Sequence, residues 1–416
     1  VRTSLVVGAF AAVIIAACAP PPPPPPPPTT TTTTTTVPGG TTTTTLVPGG
    51  TTSPTLVAGA QHTCSLRPNG TVRCWGNNSF GQLGNGTNVS SPAPVIVQGL
   101  DSVAQIIAGA FHTCAVLTNG EARCWGNNSE GQLGDGSWTP SNVPVVPFNL
   151  PVVTSITAGD AHTCAIKFDQ RVTCWGDNFS GQLGTGSNSP GPTPRSVALV
   201  TGATALAAGD AHTCAVRTSG EVSCWGDNVN GQLGNGTFSG SYVAGPVTGL
   251  SGGGVTSIQA SSGTTCVNRT SGVPACWGAN DFGQAGNGVT LPPPPQAGDP
   301  PPPDLRVNVP TSVVGLTGVT TVGTGTEHNC AVRAAGAVSC WGRNQRSQLG
   351  DGLTTNSSTP RSVTSLSGMQ QVAGGDTHTC AMRSNGTAVC WGDNTWGKLG
   401  TNDTTSSTTP RPVVGL

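Results

Sequence analysis

Seven times along the chain, a cysteine is followed ten residues later by a second cysteine, and that second cysteine by Trp-Gly. The pairs are Cys64 and Cys74, Cys114 and Cys124, Cys164 and Cys174, Cys214 and Cys224, Cys266 and Cys276, Cys330 and Cys340, and Cys380 and Cys390. A repeat of about 50 residues marks stacked supersecondary units, each too small to bury its own apolar faces. With 60 Gly, 36 Pro and few charged residues among 416, the chain lacks the composition of a helical bundle.

The short segments around the cysteines are of strand length, with turn residues between them. If Pro68-Asn69-Gly70 forms a three-residue hairpin loop, Arg67 faces Thr71, Leu66 faces Val72, and Cys64 lands opposite Cys74. The third loop position needs a left-handed backbone, which glycine adopts freely. Glycine holds it in six units, and Gln170 is the exception, so that hairpin is expected to be strained or to use another turn. Facing residues on antiparallel strands lie within disulfide reach. Seven intra-hairpin disulfides are therefore expected. Metal binding is the competing reading, because a histidine stands two residues before the first cysteine in six units. The fifth unit keeps both cysteines but has Thr264 in place of the histidine, which argues against a ligand set.

Further markers accompany each pair: Ala-Gly and His-Thr before it, Trp-Gly-x-Asn on it, and Gly-Gln-Leu-Gly after it. This order resembles the regulator of chromosome condensation repeat, and most closely bacterial members labelled alpha-tubulin suppressor-like. The resemblance spans residues 55–416 and implies an all-β fold, a seven-bladed β-propeller with four antiparallel strands per blade. Unit five departs most, at Ser261, Thr264, Pro274 and Ala285; unit six has Ser347 for a turn glycine, and unit seven Lys398 for the glutamine. Residues 409–416 resemble the segment before unit two, so the two ends are expected to pair and complete a shared blade. A closed ring leaves no large exposed sheet edge.

Residues 1–18 carry Arg2, an uncharged run too short to span a bilayer, and Ile-Ala-Ala before Cys18. This resembles a bacterial lipobox, which implies an exported chain lipidated at Cys18, held at the outer face of the cell membrane or released outside. Residues 19–54, rich in Pro, Thr and Gly, read as an unfolded tether. The segment 289–304, with two runs of four prolines or nearly so, reads as a spacer loop.

No catalytic constellation, cofactor loop or metal-ligand set is legible. The six histidines share one repeat position and are dispersed around the ring, as are the acids at 160, 210 and 376 and at 177, 227 and 393, which read as turn and cap groups. The net charge is −1, only two lysines occur and the arginines are scattered along the chain, so nucleic acid is not an expected partner and the lipid is the only expected membrane contact. Loops on a rigid frame are the natural binding elements. Residues outside the regular unit give the candidate contacts Phe80, Trp138, Phe179, Phe238, Tyr242, Phe282, Arg346 and Trp396. The expected role is a monomeric, noncatalytic scaffold that binds a protein or a cell-envelope component. Two alternatives follow from the resemblance: an enzyme inhibitor of the β-lactamase-inhibitor type, and guanine nucleotide exchange, against which export argues.

Overall fold

A computed structural model of the chain describes residues 54–250, 254–289 and 304–416. Each repeat forms one four-stranded antiparallel sheet whose strands follow in chain order, and there are seven such sheets. Blade two, for example, comprises Val103–Ala108, His112–Leu117, Ala122–Gly126 and Ser141–Val145. The first strand of each blade lines a central channel. The second and third strands are buried on nearly every residue because a neighbouring blade covers each face. The outer strand carries prolines such as Pro92, Pro94, Pro192 and Pro194. Proline cannot donate to another strand, so these outer edges resist further pairing.

The hairpin register follows the cysteine arithmetic. Cys64 pairs with Cys74 and Leu66 with Val72, and the turn is closed by the amide of Arg67 donating to the carbonyl of Thr71. The sulfurs are bonded in all seven blades. The third loop position is left-handed throughout, with glycine φ between 72° and 83°. Gln170 uses the same turn at φ 61°, so this hairpin keeps its geometry and bears the strain.

The core lies between blades. Leu66, Leu83 and the Cys64–Cys74 bridge of blade one pack against Ile106 and Trp125 of blade two. Each repeat tryptophan donates its indole N–H across the seam, at 2.8 to 3.0 Å, to the backbone carbonyl of residue 82, 132, 182, 232, 284, 348 or 398 of the preceding blade. That indole also explains the last glycine of the Gly-Gln-Leu-Gly turn. At Gly84 φ is 65°, and a Cβ there would sit 2.7 Å from the Trp125 Nε1.

Closure corrects one expectation. Blade one runs from Thr55 to Ile96 and blade seven from Met369 to Pro412, so no sheet is shared between the two ends. The ring closes by face packing, the contact used at the other seams. Trp75 donates to the Lys398 carbonyl, His378 meets Thr63, and the Leu56 amide donates to Gln371 Oε1. A complete sheet can stack on the next without exchanging a strand, because its apolar faces, not its edges, need partners.

The expected signal segment, Cys18, the tether up to residue 53, and residues 290–303 of the spacer lie outside the described residues. Among the described residues no helix is long and apolar enough to cross a membrane.

Candidate binding rims

Strand direction gives the propeller two unlike rims. One carries the turns between first and second strands and the long loops between third and fourth. The other carries the hairpins between second and third strands and the links to the next blade. All eight candidate contact residues fall on or beside the first of these, the loop rim, spread over seven blades.

The loops there are held by the asparagine that follows each Trp-Gly. The Asn78 carboxamide accepts from the Leu83 amide and donates to the carbonyls of Thr87 and Val89. Asn128 and Asn394 repeat the arrangement. A buried side chain thus ties both ends of the loop, leaving its tip residues free to vary.

The structure does not gather the eight candidates into one patch. Phe179 and Trp396 are well exposed. Phe238 lies under the Arg306 guanidinium, 4.3 Å from its ring centre, and Phe282 under Arg343 at 4.9 Å. Tyr242 sits on the Gly181 turn of the preceding blade, where it covers a neighbour. Phe80 makes an edge contact at 5.7 Å with Phe111, which the sequence reading had not singled out. Phe111 follows the regular Ala-Gly and precedes the histidine, a position taken by small or polar residues in other units, and that contrast was the available signal.

Phe111 opens onto the mouth of the central channel, a cavity of about 290 Å³. Asp160, Asp210 and Asp376 line the same mouth. This corrects their expected role as turn and cap groups, which fits the second register instead: Asp177 and Asp227 accept from Gln182 and Gln232, and Asp393 pairs with the buried Lys398. The channel walls are close enough to strip water from the mouth carboxyls although solvent still reaches them. Asp160 is pushed up to about 6, first by this desolvation and then by the charges of Asp210 and Asp177. Asp210 is raised mainly by desolvation, and Ser262 opposes the shift by hydrogen bonding.

The histidines are committed to the seams. Each Nε2 lies 2.7 to 2.9 Å from a threonine hydroxyl of the next blade, as in His62 with Thr113 and His162 with Thr213. The same hydroxyl lies 2.7 to 3.1 Å from the carbonyl that takes the tryptophan N–H. A carbonyl can only accept, so the hydroxyl proton goes there and the imidazole Nε2 is the donor. Burial lowers the histidines strongly, His62 and His212 to about 4 and His112, His162 and His328 to about 3. Neutral, buried and hydrogen-bonded, they are frame residues. Unit five carries Thr264 instead, and the facing residue of the next blade changes with it: Asn329 replaces threonine and donates to the Gln284 carbonyl at 2.7 Å.

Comparison with known proteins agrees with this geometry. The profile of the RCC1-like domain matches residues 28–298, and that of the regulator of chromosome condensation (RCC1) repeat matches 335–382, with a second repeat profile on 319–348 and 369–397. The chain belongs to the RCC1-like family. Solved structures of similar fold include human WBSCR16, with TM-score 0.73 and 21% identity over 83% of this chain and 94% of that one. Kap60 bound to yeast RCC1 (Prp20) gives 0.72 and 19%, covering 88% and 85%. Prp20p from Saccharomyces cerevisiae gives 0.71 and 20%, covering 88% of each chain. No curated protein matches the chain by sequence.

In this RCC1-like propeller five of the fifteen arginines and one lysine share a place in the blade. Arg67, Lys167, Arg217, Arg269, Arg333 and Arg383 occupy one register, the last residue before the hairpin turn, in six of seven blades. Antiparallel blades of equal length bring that register to one rim, so residues 50 to 100 apart in sequence share one rim. The expectation that the cations are scattered is corrected for these six, which are half-buried at the shared position.

Proposed function

We propose that this chain is a bacterial, exported, noncatalytic binding scaffold, lipidated at Cys18, that takes a protein or cell-envelope component on its loop rim. The observation that carries the reading is the contrast between frame and loop tip. The repeated histidines and the asparagine after each Trp-Gly are spent on holding blades and loops, while the tip positions between them vary and expose Phe80, Phe179 and Trp396. Depressed, buried imidazoles cannot act as bases near neutrality. Prp20 is described with Kap60, Gsp1p and histones, which are protein partners, and that supports protein binding as a use of such a propeller. Proline-blunted outer strands support a monomer.

The test is capture from an envelope extract with the full chain and with Phe80→Ala, Phe179→Ala and Trp396→Ala combined. Loss of a specific captured protein by the triple variant, with unchanged thermal stability, is expected. Equal capture by both forms removes the loop-rim assignment.

A further inference from the structure

We propose that the hairpin rim around blades two to four docks on an anionic lipid bilayer surface. Three exposed apolar residues meet there. Phe168, at a hairpin tip, is 80% exposed, Leu199 71% and Val152 50%. They are neighbours through the backbone. Lys167 pairs with Val153, so Phe168 and Val152 flank one pairing, and the Gln170 carbonyl accepts from Ala203, which follows the link that carries Leu199. Val152 also lies against the Gly120 hairpin of blade two.

Leu199 is the most telling of these. Its turn position is left-handed in every blade, held by Gly99, Gly249, Gly315 and Gly415, by Asn149 and by Ser365. Leucine at φ 65° is strained there, and its side chain projects into water. Its carbonyl accepts from the Arg217 guanidinium, but the exposed side chain gains nothing from water, whereas an apolar phase outside would repay the strain.

The charge fits the same occupant. Arg171 and the six-member cation ring face Asp101, Glu121, Asp169 and Glu221 as the acids of the hairpins and links. Arg217, Arg269, Arg333 and Arg383 have no carboxylate partner among the described residues. The opposite rim holds the carboxyls of the channel mouth, so a net charge near zero conceals a molecule with one basic and one acidic end. Exposed aromatic and aliphatic tips within a cationic field are the combination that seats on anionic headgroups.

The chain also enters the propeller on this rim, where Pro54 lies beside the Gly386 hairpin, with 53 residues before it. A lipid at Cys18, the reading proposed above, would keep the rim at high local concentration near the bilayer, so a weak contact suffices. Docking adds a second membrane contact to the lipid, and leaves the loop rim facing outward.

The experiment separates the two readings. The full chain, native and as Cys18→Ser, is sedimented with vesicles of phosphatidylcholine alone or mixed with phosphatidylglycerol. The Cys18→Ser form is expected to prefer the anionic vesicles at least about tenfold and to lose them in high salt. Lys167→Glu with Arg171→Glu should weaken this by about fivefold or more per charge. Phe168→Ser with Leu199→Ser should weaken it at unchanged thermal stability. Absence of any anionic preference in Cys18→Ser overturns the docking while leaving the lipid reading standing if the native form still binds. Equal binding by both forms supports the docking and removes the lipid. Capture by soluble heparin that ignores Phe168→Ser and Leu199→Ser, with no vesicle preference, assigns the rim to a polyanion and overturns the proposal.

Discussion

At the residue scale, the repeat acts as an internal control, because each position is seen seven times in one fold. Gln170 stands where six units have glycine and adopts the same left-handed backbone at φ 61°. Gln170→Gly should therefore stabilise the protein by up to about 1 kcal/mol, the strain released less the extra freedom of glycine in the unfolded chain. Gly220→Gln should cost a similar amount. Equilibrium denaturation of both variants checks this, and equal midpoints would remove strain as the explanation. The last turn glycines are less forgiving. Gly134→Ala would place a methyl 2.6 Å from the Trp175 Nε1 at a residue with φ 74°, so two costs combine and the loss should exceed about 2 kcal/mol.

At the scale of the blade and its seam, the exception in unit five shows what the histidine does. Five internal seams and the closing seam join through histidine, threonine and a carbonyl in tandem, whereas at the sixth internal seam Asn329 alone donates to the Gln284 carbonyl. Thr264→His with Asn329→Thr should restore the link. A double-mutant cycle should give a favourable coupling of about 1 kcal/mol, read from denaturation midpoints. Neither single change completes the link, so each should gain less than the pair.

These seams also set the response to acid. The histidine values fall from 6.5 to about 3 or 4 on folding because burial disfavours the charged ring, so the unfolded chain binds more protons below pH 6.5. Stability is full above about pH 6.5 and declines as pH falls toward 4, by up to about 1.4 kcal/mol per pH unit for each histidine. Asp160, raised to about 6, works in the opposite sense, gaining as pH falls through 6, but is outnumbered. Urea midpoints between pH 7.5 and 4.5 should fall steadily, and His162→Gln should flatten that slope. A flat profile in the parent protein would sink the assignment.

At the scale of the whole molecule, sequence legibility has a physical pattern. Strand pairing and disulfide register were readable because hairpin geometry is local: ten residues, one turn type, one facing pair. Blade number and closure into a ring were readable because the repeat counts them. What could not be read were properties that exist only between units. The six cations of the hairpin ring are 50 to 100 residues apart in sequence, and only stacking brings them to one rim. The channel mouth acids looked like turn groups because each belongs to a turn, and their approach across the axis is a property of the ring. The shared blade was expected because the C-terminal segment resembles the one before unit two, as if Thr55 continued it, yet Ser407–Pro412 is the outer strand of one sheet and Thr55–Ala58 the first strand of another.

The disulfides stabilise blades and not the ring, since every bridge closes a single hairpin and none crosses a seam. Each bridge is instead sealed by the tryptophan of the following blade: Cys380 and Cys390 pack with Trp75, and Cys114 and Cys124 with Trp175. Thiol exchange requires access to the sulfur, so the rate of reduction at a given bridge reports the opening of one particular seam. Trp75→Phe with Thr63→Ala removes the two hydrogen bonds to the Lys398 carbonyl, and the one to His378, at the closing seam. In a limited pulse of reductant followed by alkylation and mass spectrometry, Cys380 and Cys390 should become the first pair modified, ahead of the other six. Trp175→Phe with Thr163→Ala should transfer that susceptibility to Cys114 and Cys124. If both variants expose the same bridge, or all seven together, the seams do not open individually and the ring unfolds only as a unit.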